Sequence, residues 1–424
     1  MGSAWHPHLW HPFTQVATAD PPQRVLRAEG AELVLDDGQR LIDGISSWWV
    51  TLHGHAEPAI AAAVAEQART LEQVGFSDFR HPPAEALADR LSAASGLERL
   101  FFSDNGSTAV EVALKIAWQW WRNRGEERPR LIAFDGAYHG DTFGAMAVGE
   151  RSLFSAPFEP LLFAVARAPW PATWWGDADV EAREAEALAT LEQLLAVPTA
   201  AVILEPLLQG AGGMAMVRPE FLRAVEQRVR AAGALLIADE VMTGFGRSGV
   251  LFACQRAGIA PDLMALSKGL TGGFLPMGVT LAREAIHAGF IGTDPALTLF
   301  HGHSFTANPL GCAAALASLA LLEADPGRYQ RMEERHRPRL EALTGHPRLR
   351  RPRLLGSIAA FDLVVDDPPG YLNPAGRRLQ RLVREHGVFL RPLGQVVYLL
   401  PPLCISDAQL DRCYAAIAAA LDAL

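Results

Sequence analysis

Through the middle of the chain, short runs of leucine and β-branched residues alternate with longer alanine-rich stretches, and that alternation predicts an α/β architecture. Residues 131–134, 201–204, 235–238 and 263–266 read as buried strands, each an unbroken apolar run followed by a polar or glycine-containing loop. Ligands collect at such strand ends in open α/β sheets, so these loops are where chemistry is expected. Residues 108–124 read as a helix opened by Ser107 or Thr108, with Glu111 completing a capping-box spacing and Gly125 ending it. From residue 170, tryptophans and prolines give way to an acidic, alanine-rich helix that ends by Pro198, read as a peripheral excursion. The last hundred residues differ in texture. A long helical stretch leads to residues 348–365, then to Leu390-Arg391-Pro392 and Leu400-Pro401-Pro402, and an alanine-rich helix closes the chain. That predicts a second, smaller α+β domain.

At 424 residues and half hydrophobic, the chain is a folded protein with room for two or three domains. Its formal charge of −9 argues against a nucleic-acid or anionic-membrane partner, and the arginine-rich residues 348–353 are too few to reverse that. Cys254, Cys312, Cys404 and Cys413 show neither CxxC nor mixed Cys/His spacing, so no disulfide framework or metal site is indicated and a reducing cytoplasm fits. The opening residues lack a basic start followed by an apolar run, and no run reaches the ~20 residues that span a bilayer. Neither export nor membrane anchoring is expected.

Lys268 is delivered by the apolar run before it to a glycine-rich turn, Ser-Lys-Gly-Leu-Thr-Gly-Gly. An apolar approach lowers a lysine pKa and flanking glycines admit a planar group, both of which favour Schiff-base chemistry. Asp239 ends another apolar run. A lysine for an aldehyde and an acid for a pyridine nitrogen are what pyridoxal phosphate (PLP) requires. Taken singly, the lysine reads as a turn residue and the aspartate as a cap. Gly106 and Ser107, between the apolar residues 100–102 and the capped helix, form a candidate phosphate cradle, because free amides and the helix dipole favour an anion there. Tyr138, in the glycine-flanked loop after residue 134, is placed to stack on a planar cofactor. Its neighbour His139 is assigned no catalytic role. Residues 244–249 match G-x-G-x-x-G, but the segment 239–243 separates them from the strand and no ribose-binding acid ends a second strand about twenty residues further on, so a dinucleotide site is rejected.

The ordered motifs Asn-Gly-Ser at 105, Tyr-His-Gly at 138, Glu-Pro at 205, Ala-Asp-Glu-Val at 238, Gly-Phe-Gly-Arg at 244 and Ser-Lys-Gly at 267 resemble class III aminotransferases over most of the chain. Residues 9–15, 43–49, 209–214 and 301–305 are similar to the biotin-pathway branch of that class, with Trp48-Trp49 and the N-terminal Trp-His-Pro as its discriminating parts. The resemblance implies a PLP-dependent transferase of fold type I, with a mostly parallel seven-stranded sheet in a large domain at residues 46–324. The small α+β domain would comprise residues 325–424 together with the N-terminal segment 1–45. It also implies a homodimer with shared active sites and small-molecule substrates. Lys268 would hold the cofactor and shuttle a proton, Asp239 would pair with the pyridinium, and Tyr138 would stack. Gly106 and Ser107 would bind phosphate, with His303 and Ser304 added from the second subunit. Phe13, Trp48 and Gly302 would line the substrate channel, and Arg391 would take the distal carboxylate of 8-amino-7-oxononanoate. From the residues alone, Arg391 reads equally as a surface residue and Trp48-Trp49 as packing. Two positions depart from the family pattern: Phe13 replaces a tyrosine, and His303-Ser304 replaces Pro-Thr. The resemblance favours S-adenosylmethionine as amino donor, with lysine, or a different ω-amine transamination, as alternatives.

Overall fold

The computed structural model describes residues 5–366, 368 and 370–424; residues 1–4 of the N-terminal segment lie outside it. The chain enters through antiparallel strands β1 (Val25–Glu29), β2 (Glu32–Leu35) and β3 (Arg40–Asp43). Its central sheet is then assembled from β4 (Arg99–Ser103), β5 (Arg130–Phe134), β6 (Ala166–Ala168) and β7 (Thr199–Leu204). A short ribbon, β8 (Leu208–Gln209) and β9 (Ala215–Met216), intervenes before β10 (Leu235–Asp239), β11 (Leu263–Leu266) and β12 (Gly278–Ala282) complete the sheet. The order across it is β4-β12-β11-β10-β7-β5-β6, parallel except for β12, which runs antiparallel to both neighbours.

Both faces of this sheet are covered, which is why its strands read as unbroken apolar runs. Leu131, Ala133, Ala201, Ile203, Leu235, Ile237, Leu263 and Ala265 face one core, shared with Ala109, Val112, Ala113 and Ile116 of the helix Gly106–Asn123. The alternate residues, from Ile132 to Leu266, face the other core, with Phe221, Leu222, Val225 and Val229 of the helix Pro219–Ala231. Each fully buried leucine or isoleucine contributes about 1.5–3 kcal/mol of transfer free energy, so a one-residue slip in any strand would be severely destabilising.

Two expectations are corrected. The helix starts earlier than the Thr108/Glu111 spacing predicts: Asn105 is the cap, its Oδ1 accepting from Thr108 N at 3.0 Å while Asn105 N donates to Thr108 Oγ1 at 2.9 Å. Glu111 serves elsewhere, accepting from Gly144 N and Ala145 N at 2.7 and 3.1 Å. The acidic helix Val180–Leu195 is no peripheral excursion, because it buries Ala187 and Leu191 against β6 and the helix Pro219–Ala231.

The later part of the chain contributes β13 (Leu349–Leu355), β14 (Ile358–Leu363), β15 (Val388–Phe389) and β16 (Val396–Leu399). β13, β14 and β16 form an antiparallel sheet, whereas β15 pairs in parallel with β3 and so joins the two ends of the chain in one four-stranded sheet. The four cysteines are unpaired. Among the described residues, no single helix is long and apolar enough to cross a membrane.

Candidate active site

The C-terminal ends of the parallel strands converge on a cavity of about 670 Å3. β4 delivers Gly106 and Ser107, β5 delivers Tyr138 and His139, β7 delivers Glu205, β10 ends in Asp239, and β11 leads to Lys268. Five residues singled out in the sequence, Gly106, Ser107, Tyr138, Asp239 and Lys268, therefore line one space.

Lys268 follows β11 with φ of 39°, a left-handed backbone that is strained for a side chain with a Cβ. Its Nζ lies 4.6 Å from the centroid of the Trp49 ring. Protein surrounds the lysine except toward the cavity, and this burial brings its pKa down to about 8, against the opposing pull of Asp239 and Glu205. Asp239 is buried, and its two oxygens are separately engaged. Oδ1 accepts from Val241 N at 3.0 Å, and Oδ2 lies 2.7 Å from Nδ1 of the buried His139. His139, given no catalytic role above, thus fixes the acid. In the sequence it was marked only by its place in the Tyr-His-Gly motif after a strand end.

Glu205 is a second buried acid, pushed up to about 7 by burial. It accepts from Tyr138 N at 3.1 Å and Gly210 N at 2.9 Å, so it holds the loop that carries the tyrosine. Glu240, next to Asp239, is turned away and structural: it accepts from Ala253 N, Cys254 N and the Thr243 hydroxyl.

At the helix start, a Cβ on Gly106 would sit 2.7 Å from Val241 Cγ1. Gly140 has φ of 127°, and a Cβ there would strike Ser107, its Oγ at 2.3 Å and its Cα at 2.8 Å. Both glycines allow the Tyr138 loop, the helix N-terminus and Asp239 to share one small space. Ser107 Oγ accepts from Thr142 N at 3.0 Å and lies 2.8 Å from Thr142 Oγ1. The donor set fits PLP: amides and hydroxyls at a helix N-terminus for a phosphate, a buried carboxylate for a pyridinium, and an amine of lowered pKa for an aldehyde. By contrast, the glycines of the G-x-G-x-x-G match are used for packing. A Cβ on Gly244 would lie 2.8 Å from Glu240 O, and one on Gly246 would lie 2.7 Å from Tyr329 Cγ.

A second cavity, of about 610 Å3, adjoins the first and shares Trp49, Tyr138 and Lys268 with it. Phe13, Trp48 and Arg391 line it. The Arg391 guanidinium carbon lies 4.4 Å from the Trp48 ring centroid, and Phe13 touches both Trp48 and Phe154, at 5.6 and 5.8 Å between centroids. The wall bearing the tryptophans is strained, with Ser46, Ser47 and Trp49 all at φ between 54° and 66°. Asp43 holds it by accepting from Ile45 N and Ser47 N, while the Ser46 hydroxyl donates to Leu400 O and Trp49 Nε1 donates to the Tyr398 hydroxyl.

Gly302, His303 and Ser304 line neither cavity. His303 lies 3.4 Å from Asp104 and 3.0 Å from His301, Ser304 is exposed, and a Cβ on Gly302 would meet no atom within 4 Å.

A family model described as aminotransferase class-III matches residues 14–421. The adenosylmethionine-8-amino-7-oxononanoate aminotransferase of Synechococcus elongatus is 60% identical over 420 residues, covering 98% of this chain and 99% of that protein. The protein of the same name from Geobacter sulfurreducens is 42% identical, with 95% and 93% covered. Among solved structures, the enzyme of that name from Methanocaldococcus jannaschii superposes with a TM-score of 0.91 at 32% identity, covering 98% of this chain and 97% of that one. An amine transaminase from an uncultivated Pseudomonas species, solved in a PLP-bound form, gives 0.92 at 32% identity, with 99% of both chains covered.

Proposed function

Because the chain belongs to the class III aminotransferases, which depend on PLP, we infer that it transfers an amino group to 8-amino-7-oxononanoate, giving 7,8-diaminononanoate in biotin biosynthesis. The observation that carries the choice of substrate is 60% identity across nearly the whole of both chains. The geometry agrees with it. An apolar channel leads from Lys268 to Arg391, as an acceptor with its reacting carbonyl at one end and a carboxylate at the other requires.

When bound, PLP supplies an aldehyde and a ring that withdraws electrons from the substrate carbon. The protein's own groups do the rest. Asp239, oriented by His139, would hold the ring nitrogen in its protonated form through its buried negative charge. Lys268, as a neutral amine, would carry a proton between the substrate carbon and the carbon that bore the cofactor's aldehyde, with a pKa suited to both taking and giving it. Gly106 and Ser107 would hold the phosphate, Tyr138 would stack on the ring, and Arg391 would grip the distal carboxylate with its planar fork. Donor and acceptor use the same channel in turn, so ping-pong kinetics follow.

S-adenosylmethionine is the amino donor in this proposal. The active enzyme is a homodimer in the cytoplasm, in which Gly302, His303 and Ser304 of each copy complete the other's phosphate end and channel. Support for the dimer comes from where the chain puts these three residues, at its surface and away from its own cavities. The pairing of β3 with β15 supports grouping residues 1–45 with residues 325–424.

The test is a spectral half-reaction. S-adenosylmethionine should bleach the visible cofactor band of the purified holoprotein, and 8-amino-7-oxononanoate should restore it. Bleaching by lysine alone replaces the donor; failure of 8-amino-7-oxononanoate to restore the band removes the proposed acceptor.

A further inference from the structure

Beyond the stack of Arg391 on Trp48 lies another chamber, of about 420 Å3, which the reaction above leaves unused. It shares Phe13, Trp48, Tyr371 and Arg391 with the channel, so the two spaces meet at that stack. Three more arginines line it, Arg377, Arg381 and Arg384, from one face of the helix Ala375–Glu385 at i, i+4 and i+7. Among the described lining residues Asp20 is the one carboxylate, and both its oxygens are taken by Arg381, at 2.8 and 3.2 Å. Arg384 Nε is buried and has no hydrogen-bond partner among the described residues. Burial lowers the Arg384 pKa, with the Asp20 charge opposing it. In a chain of net charge −9, four guanidinium groups against one carboxylate are a local reversal of sign. A buried guanidinium donor without an acceptor is a standing cost that an incoming oxyanion would relieve.

We infer that this chamber is a carboxylate-binding annex of the channel, which takes the tail of an acceptor whose carbon chain is too long to end at Arg391. The inference rests on the channel reading above. Guanidinium forks match carboxylate geometry, and the aromatic walls shared with the channel accept the extra methylenes. The annex broadens the acceptor class from one 8-amino-7-oxo acid to its longer homologues.

The experiment compares KM of the holoprotein for 8-amino-7-oxononanoate with KM for homologues lengthened by a few methylenes on the carboxylate side. It uses the parent, the Arg377→Gln/Arg384→Gln pair and Asp20→Asn. The arginine pair should raise KM for the longest homologue on the order of tenfold, leaving 8-amino-7-oxononanoate within about twofold. Asp20→Asn, which removes the competing anion, should lower KM for the long homologue. Arginines that only seat the N-terminal segment would make both variants act alike at every chain length, and that outcome overturns the annex. So does a parent that rejects the longer homologues. A parent inactive on 8-amino-7-oxononanoate removes the proposed function instead. The annex is then decided by calorimetric titration of the holoprotein with nonanedioate and with inorganic phosphate. Nonanedioate binding that disappears in the arginine pair supports it; preference for phosphate, or no binding of either, overturns it.

Discussion

His139 Nδ1 and Asp239 Oδ2 stand 2.7 Å apart, both side chains buried, at the ends of strands that are separated in the sheet by β7. The histidine therefore orients the acid from a neighbouring loop, as an outer partner orients a ligand. His139→Leu is expected to lower kcat by about ten- to a hundredfold while the protein still binds PLP, and Asp239→Asn to cost more, about 10²–10⁴. Single-turnover rates with the cofactor band as readout check the order; a larger loss from the histidine change than from the aspartate change would reverse the assignment.

The Lys268 amine, brought down to about 8 by burial, should control reassembly of the holoprotein. The neutral amine is the nucleophile and is populated above its pKa. PLP uptake by the apoprotein should therefore accelerate as pH rises through about 8 and level off above it. Stopped-flow absorbance measures this, and a midpoint near the ordinary lysine value of 10.5 would contradict it.

Glu205 offers a pH test of opposite sign. Its folded-state pKa, near 7, lies above the ordinary 4.5, so the folded state binds the extra proton between these values and stability falls as pH rises through that window. Glu205→Gln removes the ionisation, so the stability of the variant relative to the parent should improve from pH 5 to pH 8. Thermal unfolding across that range decides it, and a relative decline would refute the assignment.

Gly106→Ala should weaken PLP binding, because the new Cβ meets Val241 Cγ1 at 2.7 Å. Adding Val241→Ala should restore most of the loss. Equilibrium dialysis of the cofactor tests the pair, and an additive second loss would mean that the glycine serves something other than this contact.

For Arg391→Ala, KM for 8-amino-7-oxononanoate should rise about ten- to a hundredfold, as expected for one charged hydrogen-bonding group worth ~1.5–3 kcal/mol. Trp48→Ala should give a smaller rise, since the stack it removes is worth about 0.5–2 kcal/mol. Steady-state kinetics separate them; a fall in kcat with unchanged KM would place Arg391 outside carboxylate binding.

What the sequence revealed about the site was local in the chain. Lys268, Asp239, Tyr138 and Ser107 each follow an apolar run, and strand periodicity alone places such residues at one edge of a sheet. Partnerships between distant segments were not legible. The Thr108/Glu111 spacing is a sound capping pattern, yet Asn105 captured Thr108, and Glu111 found backbone amides more than thirty residues away. Asp43 and Glu205 lie within family motifs that do not reveal what each one holds, and the three arginines behind Arg391 carry no local signature, because all of them acquire their surroundings only when the tertiary fold closes.

The strained wall at Ser46 to Trp49 is held from the far end of the chain, by Leu400 O and the Tyr398 hydroxyl. Left-handed residues of this kind cost of order 1–3 kcal/mol each, so the wall keeps its shape only after β16 has been made and docked. A nascent chain released before residue 398 would already contain Lys268, Asp239 and the phosphate cradle, but not a fixed channel. Cofactor capture and acceptor selection should therefore mature at different moments of synthesis, with acceptor selection the later.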